Sequence, residues 1–245
     1  MRVEYIPGKN SILEALKAGI PIKEIFVEKR KEDRVSEDIR GFARTQNIPF
    51  IPKDSFELDD LIEGTSHQGI VAVMPPFKYA NFDETIASVK ENREKGFFII
   101  LDHLEDTHNF GAIVRTALCG GVHGIIIPEN RSVRVTSTVM KVSVGAVFHL
   151  PIIQVKNLVQ TIDTLKKEDY WVFGSHQDGK SNIFKTKLEG PLALVVGNEG
   201  KGLSSIVKKN CDRLVSIPQK KTVGSLNVSV ATGILIYSVY RDSQE

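Results

Sequence analysis

Three short segments carry the side chains that could do chemistry. In Asn109-Phe110-Gly111-Ala112-Ile113-Val114-Arg115, the asparagine reads as the N-cap of a helix beginning at Phe110. A helical side chain leans back over the preceding turn, which sets Arg115 across Gly111 and Ala112, among the smallest residues available. Free N–H groups, the helix dipole and a guanidinium together suit a phosphate. The same spacing is also that of an ordinary capped helix with a solvated arginine. In Val195-Val196-Gly197-Asn198-Glu199-Gly200-Lys201-Gly202, three glycines follow an apolar run and let backbone approach a flat or charged ligand. No Gly-Lys-Ser/Thr occurs there, so it is not a Walker A loop. Ser205 stands where a dinucleotide fingerprint wants Gly or Ala, and Glu199 would repel a pyrophosphate. In the third segment, Ser225-Leu226-Asn227-Val228-Ser229-Val230-Ala231, Ser225 reads as the cap of a helix apolar on nearly every side. Such a helix must be buried in a core or against a partner subunit, and packing alone needs no Asn227 at its start.

These segments sit among elements of two kinds. Over residues 1–75, helices near Ile12–Leu16, Val35–Gln46 and Phe56–Ile62 alternate with strands Ile22–Val27, Ile48–Ile51 and Gly69–Met74, a compact α/β module. Pro75-Pro76 breaks the pattern, and a helix over Phe82–Lys95 follows, so residues 76–96 read as linker and helix. From residue 97 to 245 the strands Phe97–Leu101, Gly124–Pro128, Trp171–Gly174, Leu192–Gly197 and Arg213–Ile217 are continuously apolar. That marks a parallel sheet covered on both faces, with helices near 109–120, 135–146, 157–168 and 203–210 as the covers. A ligand of such a sheet lies beyond the carboxyl ends of its strands.

Composition sets outer bounds. With 41% hydrophobic and 25% charged residues over 245 positions, the chain is globular rather than disordered. Residues 1–75 are slightly acidic and 97–245 slightly basic, chance scatter on solvated faces. No apolar run approaches the ~20 residues of a membrane span, and no charged-then-apolar leader opens the sequence. Cys119 and Cys211 cannot form a disulfide framework and fit a reducing cytoplasm. Cys119 reads as a small core residue. The histidines lack a zinc spacing, so no metal is expected. Asp102, Glu105 and Asp106 read as solvent surface ahead of a helix N-terminus.

Together the three segments resemble the signatures of the SpoU/TrmH family of RNA ribose 2′-O-methyltransferases, in order, over most of Phe97–Arg241. Gly8-Lys9-Asn10-Ser11-Ile12-Leu13-Glu14-Ala15-Leu16 is similar to the opening of the ribosomal-protein-like RNA-binding domain of one branch, which methylates a guanosine of large-subunit rRNA. The resemblance implies an α/β sheet with a trefoil knot, S-adenosylmethionine as cofactor, RNA as partner and a homodimer. It places cofactor contacts at Gly197, Ile217 and Leu226, with Asn198, Pro218 and Gln219 beside them, and active-site positions at Asn109, Arg115, Glu199, Ser225 and Asn227. Gln219-Lys220-Lys221 departs from the family, which usually has an aliphatic residue at the first position and a glycine near the third. Arg115 is expected to clamp the phosphate beside the target ribose, since a guanidinium stays protonated. A transfer RNA or an rRNA adenosine is the substrate alternative. A nicotinamide-dependent oxidoreductase and a non-catalytic RNA-binding protein are the rivals of other classes.

Overall fold

The computed structural model describes residues 3–29, 31, 35–62, 66–220 and 224–244. The chain forms two compact units, one of Met1–Lys78 with Arg134–His149 and one of Tyr79–Val133 with Leu150–Glu245.

The first unit is a four-stranded sheet in the order β1 (Glu4–Pro7), β4 (Ile70–Met74), β2 (Glu24–Glu28), β3 (Phe50–Lys53). Strand β4 is antiparallel to both neighbours and is buried at every residue, as its unbroken apolar run requires of an inner strand. Helix α1 (Lys9–Lys17) buries Ile12, Ala15 and Leu16, the period read from the sequence. Helices α2 (Glu37–Thr45) and α3 (Ser55–Leu61) complete the alternation. One expectation changes. The helix expected near 135–146 as a cover of the parallel sheet is α6 (Ser137–Val142) with a 3-10 turn at Ala146–Phe148, and it belongs to this first unit. The buried Ser11 hydroxyl donates to the Met140 carbonyl at 3.0 Å, and Glu14 accepts from His149 at 2.9 Å. An apolar stripe records that a helix is covered but not by which element, so its partner is not readable from the sequence.

In the second unit a seven-stranded sheet runs β7 (Ile152–Val155), β6 (Gly124–Pro128), β5 (Phe97–Asp102), β10 (Leu192–Gly197), β8 (Trp171–Ser175), β11 (Arg213–Ser216), β9 (Ser181–Asn182). Every pairing is parallel, the expected fold class. The central strands β5 and β10 are buried throughout. Phe98, Ile100, Ile126, Ile153 and Val195 form a core with Ile86 and Val89 of α4 (Phe82–Glu91). Helices α5 (Thr107–Cys119), α7 (Leu158–Lys167), α8 (Ser205–Asn210) and α9 (Val228–Gln244) follow the strands. Helix α9 buries Leu235, Ile236 and Val239 but leaves Val230 and Tyr237 about half exposed, so the described residues cover one of its faces and not the other.

Candidate active site

Strands β5 and β10 run side by side with Gly197 opposite Asp102, which delivers two of the three chemistry-bearing loops to adjacent points on the sheet's carboxyl edge. Asp102 is no surface carboxylate, as its acidic neighbourhood suggested, but is 1% exposed. Its Oδ2 accepts the Ser204 N–H at 2.6 Å, and its Oδ1 lies 2.6 Å from His103 Nδ1. A buried carboxylate is retained only where donors satisfy it, and here those donors fasten the β5 loop to the residue that precedes α8.

The glycine loop closes on itself. Asn198 N donates to Gly202 O at 3.1 Å and Gly202 N donates back to Asn198 O at 2.9 Å. The Asn198 side chain donates to His103 O at 2.9 Å and accepts from Gly200 N at 3.0 Å. A Cβ on Gly197 would overlap the Gly202 backbone, so only glycine lets the loop fold back this tightly. Gly202 takes a left-handed φ of 65°.

Beside this loop lies a cleft of about 240 Å³, lined by Gly197, Asn198, Ile217, Gln219 and Leu226, five of the six expected cofactor positions, and by Glu199 and Ser225. Pro218, the sixth, lies next to Ile217 but is not part of the lining, and Lys221 lies outside the described residues. Ser175, His176 and Gln177 complete the wall from the carboxyl end of β8. Sequence reasoning singled out none of these three, although the rule that ligands sit beyond strand ends pointed to that loop.

Asn109, Glu199 and Asn227 converge. Asn109 Nδ2 donates to Glu199 Oε1 at 3.1 Å, and Asn227 Nδ2 donates to Asn109 Oδ1 at 3.0 Å. Both asparagines differ in helical position from the sequence reading. Helix α5 starts at Thr107 with Asp106 as its cap, whose carboxylate accepts Asn109 N at 2.6 Å. Asn109 is thereby moved into the first turn and its amide is released for Glu199. At α9 the cap is Asn227, whose Oδ1 accepts Ser229 N at 2.9 Å and Val230 N at 3.3 Å, while Ser225 stays exposed in the loop ahead of it. Arg115, two turns further along α5, is exposed and makes no hydrogen bond or ion pair to the described residues. It is not part of the cleft lining.

Neither cysteine offers a nucleophile in the cleft. Burial pushes the Cys211 thiol up to about 12, too high for a thiolate at neutral pH. Cys119 is exposed at the end of α5 rather than buried in its apolar stripe. Among the described residues no cluster of His, Cys, Asp and Glu could hold a metal ion, and no helix is long and apolar enough to cross a membrane.

The SpoU rRNA methylase family model matches residues 96–237, and a model for RNA 2′-O ribose methyltransferase substrate binding matches residues 5–80. The chain is 39% identical to YacO of Bacillus subtilis (strain 168), assigned to the TrmH family of tRNA/rRNA methyltransferases, over 240 residues covering 97% of this chain and 95% of that protein. It is 41% identical to a protein of Staphylococcus haemolyticus (strain JCSC1435) assigned to the same family, covering 96% and 94% of the two. Its fold matches the crystal structure of the SpoU methyltransferase AviRb from Streptomyces viridochromogenes in complex with AdoMet, with a TM-score of 0.82 at 24% identity over 99% of this chain and 91% of that one. Three signature loops brought together on a parallel sheet, and relatives matching along nearly the whole length, lead to one assignment: the chain belongs to the SpoU/TrmH family of RNA methyltransferases.

Proposed function

We propose that the chain transfers a methyl group from S-adenosylmethionine to a ribose 2′-hydroxyl in RNA, with a guanosine of large-subunit rRNA as the target, working as a cytoplasmic homodimer. The carrying observation is the hydrogen-bonded series Asn227–Asn109–Glu199, whose last member also lines the Gly197 cleft. Residues 1–75, with the segment Arg134–His149 packed on them, are the RNA-recognition part, which the match over residues 5–80 supports. Residues 97–133 and 150–245 carry the transfer chemistry, and the family's trefoil knot is assigned to this part. The exposed apolar face of α9 at Val230, Tyr237 and Tyr240 supports the dimer.

The cleft suits the cofactor. Val196, Ile217 and Leu226 give apolar walls for a flat base. When bound, S-adenosylmethionine supplies an electrophilic methyl on a charged sulfur. Displacement at that carbon is in line, so holding the acceptor oxygen in place provides much of the acceleration. Glu199 and Asn227 fix the acceptor ribose by hydrogen bonds, and Asn109 holds both in register. Arg115, permanently charged and free of partners among the described residues, clamps the neighbouring phosphate and stabilises negative charge developing on the oxygen.

Ribose-methylation mapping across total RNA, with and without this chain, tests the reading. One new methylated large-subunit guanosine is expected, and methyl label entering no RNA overturns it. A thermal-shift comparison separates the cofactors: stabilisation by NAD and not by S-adenosylmethionine defeats the proposal.

A further inference from the structure

A second cleft, of about 300 Å³, opens on the same carboxyl edge of the parallel sheet, among the loops that follow β5, β6 and β7. Its lining includes the side chains of His103, Arg131 and Lys156 and the apolar ones of Leu158, Val159 and Ile206. Neither Arg131 nor Lys156 makes a hydrogen bond or ion pair to the described residues. His103 commits only Nδ1, held by Asp102, which leaves Nε2 as its free ring nitrogen. Arg131 and Lys156 thus bring two cationic side chains, unpaired among the described residues, to one concavity, and His103 adds a free ring nitrogen beside them.

Two further observations point to a ligand. Ser204, one of the residues lining this cleft, carries the one buried side-chain polar atom without a hydrogen-bond partner among the described residues. Such an orphan is costly unless something outside the chain satisfies it. Ile206 is 59% exposed although large and apolar, so the cleft presents uncovered hydrophobic surface as well as the two cations. The N-terminus of α7 contributes nothing here, because Asn157 Oδ1 already accepts from Val159 N and Gln160 N. Two cations beside an exposed apolar side chain match a nucleotide, whose phosphate is anionic and whose base offers a flat face for apolar contact.

Resting on the reading of the chain as an RNA methyltransferase, we infer that this cleft is a second RNA subsite that seats a nucleotide flanking the target, with Arg131 and Lys156 on its phosphate and Ile206 against its base or sugar. Asn198 donates to His103 O, so the loop that lines the cofactor cleft is tied directly to a residue that lines this one. The subsite thus sets how far along the strand the methylated ribose lies from an anchored neighbour.

The test uses the full chain and transcribed large-subunit rRNA, with binding followed from about 50 to 200 mM salt. The double variant Arg131→Ala, Lys156→Ala is expected to bind RNA about tenfold more weakly at the low end. The slope of log affinity against log salt should shrink by about 0.7 for each phosphate no longer neutralised. S-adenosylmethionine affinity should stay at the unsubstituted value, and Arg131→Lys with Lys156→Arg should restore the slope. Ile206→Asp, at an exposed position that folding tolerates, should weaken RNA binding likewise by setting a carboxylate against the phosphate. RNA affinity and salt slope that match the unsubstituted chain in both variants overturn the subsite. Absence of methyl transfer by the unsubstituted chain instead overturns the proposed activity, and the binding comparison still decides the subsite.

Discussion

Asn109 donates its side-chain amide to Glu199 Oε1 at 3.1 Å, 90 residues further along the chain, while its carbonyl oxygen accepts from Asn227. One amide therefore holds a residue from each of the other two signature loops, using its donor end for one and its acceptor end for the other. Asn109→Ala cuts both ties at once. The expected result is a kcat for methyl transfer lower by about 10²–10³-fold, the usual effect of losing one preorganised polar group, with S-adenosylmethionine affinity nearly unchanged. Radiolabel transfer with calorimetric cofactor binding checks both.

Arg115 stands apart from the cofactor cleft, exposed and without a partner among the described residues. Arg115→Ala should abolish methylation while cofactor binding survives. Arg115→Lys should recover little, because a point charge does not reproduce a planar two-pronged donor. Loss of cofactor affinity in step with activity would place Arg115 in the wrong role.

Gly197 and Gly200 stand three residues apart and predict opposite outcomes. A Cβ at Gly197 meets the Gly202 backbone, whereas at Gly200 the nearest atom is Asn198 Oδ1 at 3.8 Å, an ordinary contact. Gly197→Ala should force the loop open, cost about 1–3 kcal/mol, and lower Tm by about 2–4 °C for each kcal/mol, with cofactor binding lost. Gly200→Ala should leave both Tm and cofactor affinity near the starting values. Differential scanning fluorimetry with and without S-adenosylmethionine reads the contrast.

The same loop shows how much of the molecule is legible in its sequence. Strands β6 and β10 end at the residues read from the sequence, because a continuous apolar run bounded by glycine or proline has few other ways to fold. Strands β7 and β9 leave no such signal, being four and two residues long at the sheet's two edges. Caps are ambiguous where several capping residues compete. Asp106 and Asn109 are both good N-caps, and only the folded chain shows Asp106 taking the Asn109 N–H. The burial of Asp102 is hidden because the Ser204 N–H that satisfies it lies 102 residues away. The site is readable as three loops, and its hydrogen-bonded centre is not, since no pattern in the chain records a contact between Asn109 and Asn227.

Asp102 itself invites a stability measurement. Asp102→Ala leaves the part-buried Ser204 N–H without its acceptor and removes the tether of His103, so an unfolding free energy lower by about 1–3 kcal/mol is expected. Asp102→Asn keeps an oxygen for Ser204 and should cost less. Urea midpoints at constant m separate the two variants, and equal losses would show that charge rather than the retained acceptor matters.

In the first unit the titration of Glu14 should control a single tie. A hydrogen bond from Lys17 holds its carboxyl below the ordinary carboxylate range, opposed by partial burial and reinforced by His149. The folded state therefore prefers the ionised form more than the unfolded chain does. Its stabilisation is complete above the unfolded pKa and disappears as pH falls through the lowered folded value. Glu14 joins α1 to the segment Arg134–His149, so acid should loosen that segment first. Protection of the Ser143, Val144 and Gly145 amides, each bonded within the segment, should fall on acidification once the intrinsic slowing of exchange is corrected for. Glu14→Gln should show the faster exchange already at neutral pH and little further response to acid. Exchange that responds to acid equally in both proteins would assign the effect to another group.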